Sequence, residues 1–515
     1  MTKKSLRAFA ATAIAALALS LGGGVAALAD EDPAVQLGAG SIDVGYKDAS
    51  IIIHKKLNPQ STHKATGEKD DSAEGQDLAG IKFVIQKLNY KLDDNDGLKT
   101  VAALKAENVT EKNYEAGTSK EPTRWEVTTE ENGEAAQNVP VGVYLVTEIV
   151  PKDSVTAGGK PIDASTILPS KPFLVRVPMP SSDGKSWNYN VHVYPKNSTD
   201  LVEKKVIDAR KNAGDKITYT INVAAPLVAT GDQRTKFVVE DHYDKTKLEN
   251  VWVTGVKVND KEIDEGTHYD VLEYPDPGTI LVEFKKQDEH DEKSALIYEI
   301  PNNATVTVNL SAKMKDDAVG EIVNNASRID RDSSMKADRT RSAEPVVTYL
   351  GKVKVLKQDQ GGKSLSGAKF DIYRCDPDGD GTYTLNGNAI QTLETGSDGT
   401  AVSKGLHVTD YENDSQTVRP ENQNYCLQET QAPAGYILPE GDAAITPFTI
   451  TRADLVLAGG KATETVKVLP AIENTPSNTP DLPLTGGKGV GLLVVLGAAV
   501  AGAAVYSARR NSVRA

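Results

Sequence analysis

Apolar residues recur at every second position in short bursts along most of the chain. Ile217, Tyr219, Ile221 and Val223 alternate with Thr218, Thr220 and Asn222, and Val306, Val308 and Leu310 alternate with Thr305, Thr307 and Asn309. A period of two turns one face of a strand to a core and the other to water. Clusters of Gly, Asn, Asp and Pro separate the bursts, and no long 3.6-residue period intervenes between Asp30 and Asn474. The pattern predicts an all-β chain of antiparallel immunoglobulin-like sandwiches. Breaks near Ser198 and near Tyr349 divide it into tandem domains over residues 30–198, 199–348 and 349–476.

The two ends depart from this pattern. Residues 1–29 read as a secretory signal: Lys3, Lys4 and Arg7 precede an apolar run, and Ala27 and Ala29 supply the small residues of a cleavage site. Near the other end, residues 489–506 carry no charge and are long enough to cross a bilayer, and Arg509, Arg510 and Arg514 follow. Leu482, Pro483, Leu484, Thr485 and Gly486 stand just before that span, within a terminal region of residues 477–515. The 515 residues carry a net charge of −14. Losing three cations with the signal and four beyond Thr485 takes this to −21. Such an acidic chain repels phosphate backbones, so no nucleic acid is expected as a partner.

The alternation places charged residues where only apolar ones belong. Near the start of each domain a Lys falls in register with inward aliphatic residues: Lys55 with Ile51 and Ile53, Lys204 with Val202 and Val206, Lys357 with Val353 and Val355. Near each end an Asn does the same: Asn197 with Val191 and Val193, Asn324 with Ile322 and Ala326, Asn474 with Ile472. An acid completes each set: Glu148 with Tyr144 and Val146, Asp241 with Phe237 and Val239, Glu429 with Tyr425 and Leu427. Burial favours a neutral amine and a neutral carboxyl. A neutral amine beside an amide is a nucleophile, and the acid can polarise the amide and carry protons. Attack on the Asn would release ammonia and leave an isopeptide crosslink, Lys55–Asn197, Lys204–Asn324 or Lys357–Asn474. A one-residue slip would instead select neighbours such as Lys56, Lys205 or Asn325.

Three motifs carry a family resemblance. The pentapeptide at 482–486, its apolar span and the basic tail resemble the cell-wall sorting signal of Gram-positive bacteria. Residues 425–436, including Tyr425, Glu429, Pro433 and Gly435, resemble the E-box of sortase-assembled pilins. Residues 187–196, Trp-Asn-Tyr-Asn-Val-His-Val-Tyr-Pro-Lys, are similar to their pilin motif. Together they resemble the major shaft pilins of Gram-positive pili, in particular the three-domain actinobacterial type. The resemblance implies collagen-adhesin B-like, A-like and B-like domains in that order, with Glu148, Asp241 and Glu429 as helpers of crosslink formation. It implies that a pilus-specific sortase cleaves after Thr485, holds its carbonyl as a thioester and passes it to Lys196 of the next subunit. Partners implied are that sortase, a housekeeping sortase, other copies of the chain head to tail, tip and basal pilins, and peptidoglycan. The implied setting is the cell surface, as a fibre covalently anchored to the wall. Strand parity agrees: Lys196 alternates with Asn197, so Lys196 is expected outside and Asn197 inside, and Pro195 marks a strand end.

Cys375 and Cys426 are the only cysteines, and an even count in a secreted chain favours a disulfide. Asp376, Asp378 and Asp380 are spaced like the first half of a Ca²⁺ loop, but Gly387 occupies the twelfth position where an EF-hand needs Glu. A Ca²⁺ in a turn and an unliganded acidic turn are the two readings; no other cofactor is expected. The sequence lacks H-E-x-x-H, G-x-S-x-G, P-loop and dinucleotide motifs, so a turnover enzyme is not expected. A monomeric wall-anchored adhesin and a basal pilin are the competing readings, and the full motif at 187–196 favours the shaft.

Overall fold

A computed structural model describes residues 41–59, 66–118, 121–229, 231–274, 278–286, 295–417, 424–455, 457–458, 461–462 and 466–477. The signal segment, the pentapeptide with Thr485 and the apolar stretch 489–506 lie outside the described residues. Among the described residues no helix is long and apolar enough to cross a membrane. The chain divides into two compact units. One runs to Asp208 and adds Lys216–Met314 and Val323–Val347; the other comprises Ala209–Asp215, Lys315–Ile322 and the part from Thr348 on.

In the first unit, a four-stranded antiparallel sheet orders Phe173–Val177, Gly142–Ile149, Lys82–Leu88 and Arg124–Thr128. A second sheet sets Ser50–His54 between Asn190–Val193, in parallel, and Glu134–Asn138, antiparallel. Ile51, Ile53, Phe83, Ile85, Tyr144 and Val146 form the core between them. The single α-helix among the described residues, Asn95–Ala102, starts where the Asp94 side chain accepts the Gly97 N–H at 2.6 Å. At eight residues it is too short to show as a period in the sequence.

The same unit holds a second sandwich. Its five-stranded sheet orders Val202–Ile207, Lys216–Ala224, Thr305–Met314, Leu248–Val258 and Lys261–Ile263. Ile217, Tyr219, Ile221, Val223, Val306, Val308 and Leu310 are all buried there, the face given by alternation. Arg234–Tyr243 pairs with both Thr279–Phe284 and Gly320–Asp332 in the other sheet.

In the second unit, Tyr383–Glu394, Lys369–Pro377, Asn424–Gln431 and Ile445–Phe448 form one sheet. Opposite runs Val346–Asp359, which pairs antiparallel with Thr400–Val402 and parallel with Val466–Val468 and Ile472–Asn474. Val353, Val355, Phe370, Ile372, Tyr425 and Leu427 fill the space between. Cys375 and Cys426 form a disulfide across adjacent strands of this unit.

Candidate functional site

The same arrangement is built three times. In the first sandwich Lys55 is fully buried. Its Nζ donates to Glu148 Oε2 at 2.7 Å and to Asn197 Oδ1 at 2.6 Å, and Asn197 Nδ2 donates to Glu148 Oε1 at 2.5 Å. In the second unit Lys357 Nζ donates to Glu429 Oε2 at 2.8 Å and Asn474 Oδ1 at 2.5 Å, and Asn474 Nδ2 donates to Glu429 Oε1 at 2.6 Å. Each carboxylate thus bridges amine and amide. The slip alternatives fall elsewhere: Lys56 pairs with Asp77, Lys205 with Glu203, and Asn325 Oδ1 accepts the Ala326 N–H.

The middle set differs in one respect. Lys204 Nζ donates to Asp241 Oδ1, to Asn324 Oδ1 at 2.8 Å and to the Asn325 carbonyl at 3.1 Å. Aspartate is one methylene shorter than glutamate and does not bridge. Asp241 Oδ2 and Asn324 Nδ2 are buried with no hydrogen-bond partner. The amide nitrogen that would leave is therefore held by the acid in the two glutamate sets and by no partner in the aspartate set.

Desolvation sets the lysine chemistry. Burial pulls Lys55 from 10.5 to about 8, against the opposing attraction of Glu148. Burial also lowers Lys204 and Lys357, with Asp241 and Glu429 opposing. Each ammonium further lies over an aromatic ring: Lys55 over Phe83 at 5.7 Å, Lys204 over Tyr219 at 4.9 Å and Lys357 over Phe370 at 5.6 Å. Alternation marks each of these rings as inward, but not its place beneath a lysine.

Two glycines fix the backbone of the lysines in the glutamate sets. The Lys55 N–H donates to the Gly133 carbonyl at 2.7 Å, and the Lys357 N–H to the Gly399 carbonyl at 2.8 Å. Both glycines have positive φ, and a Cβ on either would come within 2.7 Å of the lysine carbonyl oxygen. The dipeptides Asn132-Gly133 and Asp398-Gly399 are turn signals visible in sequence, but their partners are not. Ser170 is a further member with no sequence signal. Its N–H donates to Glu148 Oε2 at 3.1 Å, and its hydroxyl donates to the same oxygen.

The geometry suits one reaction. A neutral Nζ attacks the Asn Cγ, the Cγ–Nδ2 bond breaks, and the carboxyl carries a proton from Nζ to Nδ2 so that ammonia departs. Each set has one amine and one amide, so it can react once.

Lys196 opens the strand Lys196–Thr199, directly beside buried Asn197. It is half-buried rather than fully exposed, as simple alternation would have it. Burial lowers its pKa, while the charges of Asp70 and Glu74 act to raise it. The loop carrying Asp70 is attached to the 187–196 motif, since the Asp70 N–H donates to the Tyr194 hydroxyl at 2.5 Å. The preceding strand, Asn190–Val193, stops before Pro195. Thr485 lies outside the described residues.

Asp376, Asp378 and Asp380 are not drawn together around a point. Asp376 accepts from Asn386, Asp378 from Thr382 and Thr384, and Asp380 from Thr382. Among the described residues no group of three or more His, Cys, Asp or Glu is placed to hold a metal ion.

Comparison with known proteins agrees with this architecture. Family models described as "Gram-positive pilin subunit D1, N-terminal domain" and "Prealbumin-like fold domain" match residues 46–198 and 351–457. The fimbrial subunit type 1 of Actinomyces viscosus is 31% identical, with 99% of this chain and 98% of that protein covered. The fimbrial subunit type 2 of Actinomyces naeslundii is 29% identical over 89% and 88% of the two chains. The full-length major pilin SpaD of Corynebacterium diphtheriae superposes with a TM-score of 0.63 at 32% identity, over 85% of this chain and 100% of that one. The chain belongs to the family of Gram-positive major pilins, the structural subunits of fimbriae.

Proposed function

We propose that the chain is the shaft subunit of a covalent surface fibre. A sortase joins the Thr485 carbonyl of one copy to Lys196 Nζ of the next. Such a head-to-tail contact does not close on itself and so makes a filament. A housekeeping sortase then transfers the filament to peptidoglycan, and tip and basal pilins occupy its ends. Within each subunit, Lys55–Asn197, Lys204–Asn324 and Lys357–Asn474 crosslink themselves, aided by Glu148, Asp241 and Glu429. The observation that carries the reading is the threefold recurrence of a buried lysine within 2.8 Å of an asparagine amide oxygen and beside a carboxylate. A buried lysine without a chemical role is a costly feature, and three are hard to account for by packing.

Two measurements test the two halves separately. Wall extracts should give a high-mass ladder on immunoblot, and Lys196→Ala should reduce it to a single band. A persistent ladder would move the acceptor to another lysine. The intact mass of the secreted chain made without sortase should fall short of its sequence mass by one ammonia per crosslink. A full sequence mass would refute self-crosslinking and leave polymerisation standing.

A further inference from the structure

The two glutamate sets are not equivalent, and the difference lies on the oxygen that must take the lysine proton. Glu429 Oε2 accepts from Lys357 at 2.8 Å, and its other oxygen accepts from Asn474. Glu148 repeats both contacts, but its Oε2 also accepts the Ser170 N–H at 3.1 Å and the Ser170 hydroxyl. One carboxylate oxygen offers two in-plane lone pairs. Three donors therefore compete for two sites on Glu148 Oε2.

We infer that Ser170 is a positioning residue that slows the Lys55–Asn197 crosslink by occupying the proton-accepting oxygen of Glu148. The inference rests on the crosslinking reading above. For Lys55 to attack as a neutral amine, one of its protons must move to Oε2. That oxygen must first give up a Ser170 bond. Nζ then bonds to Asn197 Cγ, Cγ–Nδ2 breaks as the proton held on the acid passes to Nδ2, which leaves as ammonia, and Nζ gives its second proton to the freed carboxylate, leaving a neutral amide. Among the described residues no serine donates to Glu429 Oε2, so the same sequence needs no prior release there. Ser170 is itself half-buried in an otherwise exposed connection after Ile167–Leu168, and it donates to Glu148 through both its N–H and its hydroxyl.

The test follows both crosslinks in the same molecule. Full-length chain is made by cell-free synthesis without sortase, sampled over time, digested and weighed as peptides. In wild type the joined Lys357–Asn474 peptide should accumulate ahead of Lys55–Asn197. Ser170→Ala removes one charge-assisted hydrogen bond and should speed Lys55–Asn197 roughly tenfold, leaving Lys357–Asn474 unchanged. Ser170→Thr keeps the hydroxyl and should restore the slow rate. If Lys357–Asn474 forms normally while Ser170→Ala leaves Lys55–Asn197 unchanged or slower, the inference is overturned and the crosslinking reading stands. If neither joined peptide forms in wild type, both are overturned.

Discussion

Asn474→Ala isolates what a crosslink contributes, because it removes the electrophile and keeps Lys357 and Glu429 paired. Lys357 and Asn474 are 117 residues apart. Closing a loop of that length constrains the unfolded chain by about 5 kcal/mol in the loop-entropy relation used for disulfides. At about 3–5 °C per kcal/mol for a domain of this size, the melting transition should fall by roughly 15–25 °C. Scanning calorimetry reads the transition, and peptide mapping reads the bond. Glu429→Gln should remove the bond in the map while nearly keeping the shape of the site. An Asn474→Ala variant that melts with wild type, although the wild-type map contains the joined peptide, would refute this expectation. Stability would then come from packing alone, and loop closure would be the wrong physical account.

Two further expectations concern the first sandwich and the disulfide. In Asn197→Ala, Lys55 stays an amine whose pKa is pulled from 10.5 to about 8. Between those values the unfolded state binds more protons, so stability should rise with pH by about 3 kcal/mol across the window. Denaturant titration should find that slope in the variant, but neither in crosslinked wild type nor in a Lys55→Met control. Cys375 and Cys426 are 51 residues apart, so replacing both with Ser should cost about 4 kcal/mol in a thermal or denaturant melt.

Much of the site was legible because strand parity is unforgiving. A one-residue slip would have turned Lys55, Lys204 and Lys357 to water, and the flanking aliphatic residues forbid it. Parity likewise located the acids and asparagines, since each shares a face with buried neighbours. Parity is silent on contacts that come from loops. Ser170 reaches Glu148 from a connection with no period of its own. Lys196 is half-buried and the segment of Asp70 is fastened to Tyr194, neither of which alternation along 187–196 can reveal. The acidic turn at 376–380 shows the same limit. Its spacing suits a cation, yet threonine and asparagine side chains supply the donors that its carboxylates accept.

The pairing of Ser50–His54 with Asn190–Val193, and of Lys357 with Ile472, is parallel. A chain that enters a sandwich on one such strand and leaves on its parallel neighbour exits at the opposite pole. Tension along the chain then acts along the strands, so their hydrogen bonds are loaded side by side in shear instead of being peeled open one after another. The topology by itself gives each such sandwich a stiff longitudinal spring, before any covalent bond is counted.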